Sequence, residues 1–169
     1  MKTHSPHNLW SVLGLISMIA LVSVACASPS FDIETPAEMV ELERDYHRYV
    51  AMTHDGVVLR ALVYSQGERR SDDAPRAQQQ FWADAVRERM RTSGGYALLD
   101  EEHVQSADGR SGNRLKFGRD QNGVPYQYWI TIFVTDEHIH IIDVGGREDR
   151  FERAQEAVEA ALSSYRVEL

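Results

Sequence analysis

Hydrophobic and polar positions along this chain follow two different rhythms. Segments 47–54 (HRYVAMTH) and 57–65 (VVLRALVYS) have the β-branched and aromatic character of strands, and the Asp55-Gly56 pair between them suits a tight turn. The same arrangement recurs around Asp108-Gly109, with 96–106 and 112–120 on either side. Asn122-Gly123 then leads into 124–136 (VPYQYWITIFVTD), whose apolar residues occupy both alternating sets. Such a strand is expected inside a sheet rather than at its edge. Segment 137–145 pairs with it across an Asp136-Glu137 turn.

The rhythm changes to a helical one in two places. Pro75 opens a stretch that stops at Gly94-Gly95, with Trp82, Val86 and Met90 recurring every fourth residue. The segment 148–165 places Phe151, Ala154, Val158, Ala161, Leu162 and Tyr165 on one stripe and Glu152, Arg153, Glu156 and Glu159 on the other. Each apolar stripe is expected to pack on the sheet. The segment TPAEMVELER is ambiguous: Thr35 and Glu38 form a capping-box pattern, while Met39-Val40 suits the start of an edge strand. The pattern therefore predicts an α/β protein of the α+β kind. Its mainly antiparallel sheet of about six strands is covered by two longer helices, on one face or on both.

The amino-terminal region changes the picture of where the chain goes. No charged residue interrupts Leu9 to Ala25, and the apolar centre VLGLISMIALVSVACA is short for a membrane span but suited to a signal-peptide core. Ser23-Val24-Ala25-Cys26 resembles a bacterial lipobox, although Ser23 stands where Leu is usual. Ala25-Cys26-Ala27 also fits ordinary signal-peptidase cleavage. Cys26 is the only cysteine, so no internal disulfide is available, and it sits where greasy sequence gives way to polar sequence. These features predict a signal peptide over 1–25, a tether over 26–35 and a single domain over 36–169. Cys26 is the expected lipidation site, giving an exported chain anchored in the bacterial cell envelope; a secreted soluble chain is the alternative.

Charge narrows the partners. Of 18 basic residues only Lys2 precedes Cys26, which leaves 17 against 26 acidic residues in the mature part, a net charge of −9. Such a surface repels nucleic acid and anionic lipid headgroups at long range, and no nucleic-acid partner is expected. The membrane, through the lipid on Cys26, and a protein partner are the expected associations.

The lipoprotein signal, the DG hairpin, the middle helix, the meander ending YWITIFVTDEHIHIIDVGG and the closing helix ending ALSSYRV together resemble PsbP-like (Mog-type) proteins. The likeness is strongest from Gly94 to Val167 and spans half to three quarters of the mature chain. It implies a scaffold, assembly or binding role and brings no catalytic residues with it.

Candidate chemistry is sparse. His138 and His140 are two apart on a strand and so share a face, which is how two imidazoles can meet one metal ion. A third ligand would come from His47, His54, His103 or a carboxylate. If Ile139 and Ile141 face the core, the two histidines point to solvent or to the second helix layer. Ser111 in GRSG lacks the nucleophile-elbow pattern, and Asp100-Glu101-Glu102 reads as a solvated charge run. The amides of Gly145-Gly146-Arg147 precede a helix and can hold an anion or simply make a turn. Tyr126, Tyr128 and Trp129 can line a ligand cavity or belong to the core. The reading is a non-catalytic envelope lipoprotein without a cofactor. A small-molecule carrier, or a metal carrier using His138 and His140, is the alternative.

Overall fold

The computed structural model describes residues 30–66 and 75–167. Seven strands form one sheet: β1 (Met39–Arg44), β2 (Arg48–Thr53), β3 (Val58–Ser65), β4 (Ala97–Gln105), β5 (Ser111–Gln121), β6 (Val124–Val134) and β7 (His138–Arg147). Helix α1 (Pro75–Gly94) joins β3 to β4, and α2 (Glu148–Ser164) follows β7. The spatial order is β1-β2-β3-β7-β6-β5-β4, and every neighbouring pair is antiparallel. The ambiguous segment is thus a seventh strand. Thr35 caps no helix; its hydroxyl meets Glu41 and the Tyr49 hydroxyl, and Met39 N–H closes a turn onto the Pro36 carbonyl.

The meander β4-β5-β6-β7 folds back so that β7, not β6, lies at the centre, between β3 and β6. Both faces of β7 are covered. Ile142 and Val144 join the core beneath α2, while Ile139 and Ile141 pack in the cluster beneath α1. That double burial explains a strand with apolar residues at consecutive positions. Turn chemistry matches the residues: Asn122 and Gly123 both have positive φ (58° and 79°), the geometry of a type I′ hairpin, and the Asp120 carboxylate accepts from Gly123 N–H at 2.8 Å.

The helices lie on opposite faces. Phe151, Ala154, Ala157, Val158, Ala161 and Leu162 of α2 are buried against β2, β3, β7 and β6, where Trp129 and Phe151 have ring centroids 4.8 Å apart. Ala83 of α1 is buried with Leu115, Phe117, Ile130, Ile132 and Val134, flanked by Trp82, Val86 and Met90. Residues expected to form a tether are partly in this core. Phe31 and Ile33 are buried, Phe31 stacks on Tyr165 at 5.7 Å, and Asp32 bridges Arg166 through two backbone hydrogen bonds. The packed domain therefore includes residue 31, five positions earlier than the sequence boundary, because the apolar pair Phe31/Ile33 fills space beside the end of α2.

Candidate interaction surface

Each helix is too narrow to cover seven strands, so each face of the sheet has an open half. The two open halves differ in chemistry. On the α2 face, β4 and β5 are paved with ion pairs. Arg114 donates to Glu102 at 3.1 Å and to Glu159 of α2 at 2.9 Å, and Lys116 sits 3.2 Å from Glu102 and 3.5 Å from Asp100. Both cations also lie over the Trp129 ring, at 5.5 and 4.9 Å. Arg114 is buried by these contacts, while Lys116 and the carboxylates reach solvent and Leu99, exposed, stands beside Gly118 on the same strands. Asp100 and Glu102 of the acidic run serve this half, whereas Glu101 faces α1 and pairs with Arg87.

On the α1 face, the register places Val40, Val50, Met52, Val58, Leu62 and Tyr64 of β1, β2 and β3 side by side. Among the described residues no helix lies over them: α1 packs on β4, β5 and β6. Val40 is 62% exposed and Tyr64 50%, while Val50, Met52, Val58 and Leu62 are half-buried. Leu42, 57% exposed, sits at the bulge between Glu41 and Glu43 that irregularly spaces β1 against β2. Charged residues cross these apolar positions: Arg60 lies opposite Val50 and Arg48 opposite Leu62, and Arg48 pairs with Glu43 at 3.1 Å. The face thus groups large apolar side chains around two ion-paired arginines, which is still more than the single exposed hydrophobics found on any protein. Its inner border is polar. The Arg60 guanidinium donates to Asp143 at 2.8 Å and to the Tyr128 hydroxyl at 2.8 Å. Burial, and after it the negative charge of Asp143, push the Tyr128 hydroxyl well above the usual phenol range.

The histidines resolve differently from their sequence reading. His138 and His140 share a face of β7, as the period of two requires, with ring centroids 6.2 Å apart. His47 stands beyond His138 at 6.5 Å. His140 is not a surface residue: it is 1% exposed, and its Nδ1 lies 2.8 Å from the buried Tyr165 hydroxyl. Desolvation, and secondly the neighbouring His138, lower its pKa to about 4. The Tyr165 ring is fixed by stacking between Phe31 and Phe133. His54 lies in the β2–β3 turn and His103 on β4, at a distance in the sheet from β7. Among the described residues no group of three or more His, Cys, Asp or Glu side chains is arranged to hold a metal ion.

The remaining sequence candidates scatter. Tyr128 faces α1, where it meets Tyr96 at 5.7 Å, whereas Trp129 faces α2; the aromatic run does not line one cavity. Ser111 lines a polar groove of about 750 Å³ with Gln79, Gln80, His103, Gln105 and Asn113. Gly145–Arg147 form the end of β7, and Glu148 and Asp149 occupy the first turn of α2, where their charge opposes an anion. Cys26 and residues 67–74 lie outside the described residues. Among the described residues no helix is long and apolar enough to cross a membrane.

No family model matches the chain, and no curated protein matches it in sequence. Solved structures do match. LpqN of Mycobacterium tuberculosis, described as involved in cell envelope biogenesis, superposes with a TM-score of 0.62 at 14% identity, over 84% of this chain and 85% of its own. Cyanobacterial PsbP (CyanoP) of Synechocystis sp. PCC 6803 gives 0.53 at 12% identity, over 85% and 95%. A protein of Bacteroides thetaiotaomicron gives 0.53 at 14% identity; this chain covers 84% of itself there but only 47% of that protein.

Proposed function

We propose, with the PsbP/Mog fold as the premise, that this chain is a non-catalytic lipoprotein of the bacterial cell envelope, anchored through Cys26, whose role is to bind another envelope protein or assist an assembly. One observation carries the binding role: the open half of the sheet on β1, β2 and β3 groups exposed apolar side chains around its two ion-paired arginines, while ion pairs predominate in the open half on β4 and β5. A soluble domain that only needs hydration has no use for an exposed set such as Val40 and Leu42 beside Met52 and Val58. A partner presenting apolar side chains would remove this surface from water at roughly 25 cal/mol per Å² buried. The description of LpqN as an envelope-biogenesis protein agrees with this reading.

Cross-linking in living cells tests it. A photoreactive residue replacing Val40 or Met52 is expected to give a discrete, reproducible protein adduct, and one replacing Asp100 or Lys116 is expected to give none. Equal labelling from both faces, or none from either, contradicts the assignment of β1–β3 as the binding surface.

A further inference from the structure

The position of the tether fixes how the domain stands on a membrane; this inference rests on the lipid anchor at Cys26 proposed above. Four peptide units separate Cys26 from Ser30, a reach of about 14 Å at full extension. Ser30 is itself held by the domain. Its N–H and its hydroxyl both donate to the Tyr46 carbonyl, at 3.2 and 2.5 Å, and the hydroxyl lies 3.3 Å from His47 Nδ1. The chain thus enters the fold at the turn between β1 and β2. The headgroup layer is about 5–8 Å deep on each side of a bilayer, so a tether this short keeps that turn at the leaflet surface.

The side chains at this end suit that place. Tyr46 and Tyr64 are each about half exposed and line one shallow depression of about 460 Å³ together with His47, Arg48 and Leu62. Tyrosine pairs an apolar ring with a polar tip, the combination favoured at the membrane–water boundary. The surrounding charges are Asp45, Asp136 and Glu137 against Arg48, with the imidazoles of His47 and His138 beside them. Among the described residues at this end no basic cluster selects anionic lipid. We propose that the sheet end formed by the β1–β2 turn and the last residues of β3 rests on the bilayer, with Tyr46 and Tyr64 among the headgroups. The strands β1–β3 then run away from the membrane. Their apolar face, from Leu62 toward Met52 and Val40, stands upright and is open to neighbours approaching along the leaflet.

The test uses the lipidated protein reconstituted in phosphatidylcholine vesicles that carry a brominated phospholipid quencher. A fluorophore is attached to a single introduced cysteine in Tyr46→Cys, Tyr64→Cys or His54→Cys, the last lying at the far end of β2, about 20 Å from the turn. The expected result is quenching several-fold stronger at 46 and 64 than at 54. Equal quenching at the three positions, or stronger quenching at 54, overturns the orientation. Intact mass of the same preparations separates the two readings. An acylated chain with even quenching overturns the orientation alone, whereas an unacylated chain overturns the anchor and the orientation together. In whole envelopes, a photoreactive residue at 64 that captures protein instead of lipid also overturns it.

Discussion

Placing an imidazole in the packed layer beneath α2 removes it from water, and the neutral form of His140 is favoured down to about pH 4. An unfolded chain protonates the same group near 6.5. Between those values the unfolded state binds a proton that the folded state does not, so stability is full above pH 6.5 and falls as the pH drops toward 4. The shift corresponds to about 3 kcal/mol. Urea unfolding at pH 7.5 and pH 5 is expected to show the wild type losing markedly more stability than His140→Gln; parallel losses would contradict a buried neutral histidine. Tyr165→Phe removes the hydroxyl that meets His140 Nδ1 and leaves a buried polar nitrogen unpaired, at an expected cost of about 1–3 kcal/mol in the same assay at pH 7.5.

Strands β5 and β6 pack closely enough at one position that only glycine fits. A Cβ at Gly112 on β5 would stand 2.5 Å from the Ile132 carbonyl oxygen and from the Phe133 ring. Gly112→Ala is therefore expected to destabilise the domain by about 2 kcal/mol in a denaturant titration, since the obstacle includes backbone of the adjacent strand. An unchanged midpoint would mean that β5 and β6 are not packed as described. At this scale most of the fold was readable in advance. Turn dipeptides and period-two runs marked six strands, and Pro75 and Gly94 bounded α1. What local patterns do not encode is the layer each face meets. Val50, Met52, Val58 and Leu62 alternate with Tyr49, Ala51, Leu59 and Ala61, so β2 and β3 read as apolar on both sides. Only the lateral placement of α1 over β4–β6 shows that the first set is left open. His140 is the converse: its spacing predicted a shared face with His138, but its burial depends on α2 and Tyr165, which arrive from the end of the chain.

For the molecule as a whole, the sheet has two half-covered faces with different finishes, and the proposed function makes the one on β1–β3 the side that a partner meets. Leu42→Asp on the apolar side is expected to change stability by less than about 0.5 kcal/mol, because the side chain is mostly exposed, while weakening the cross-link from position 52. A large loss of stability would instead make Leu42 part of the fold's own packing. The search for a partner and the orientation on the bilayer both depend on the membrane attachment through Cys26. Intact mass spectrometry of the mature protein from its host, compared with Cys26→Ser, tests that attachment directly. The expected result is a chain beginning at Cys26 and carrying a diacyl or triacyl addition that disappears in the variant. An unmodified chain beginning at Ser28 would contradict a lipid anchor and describe a secreted, diffusible domain.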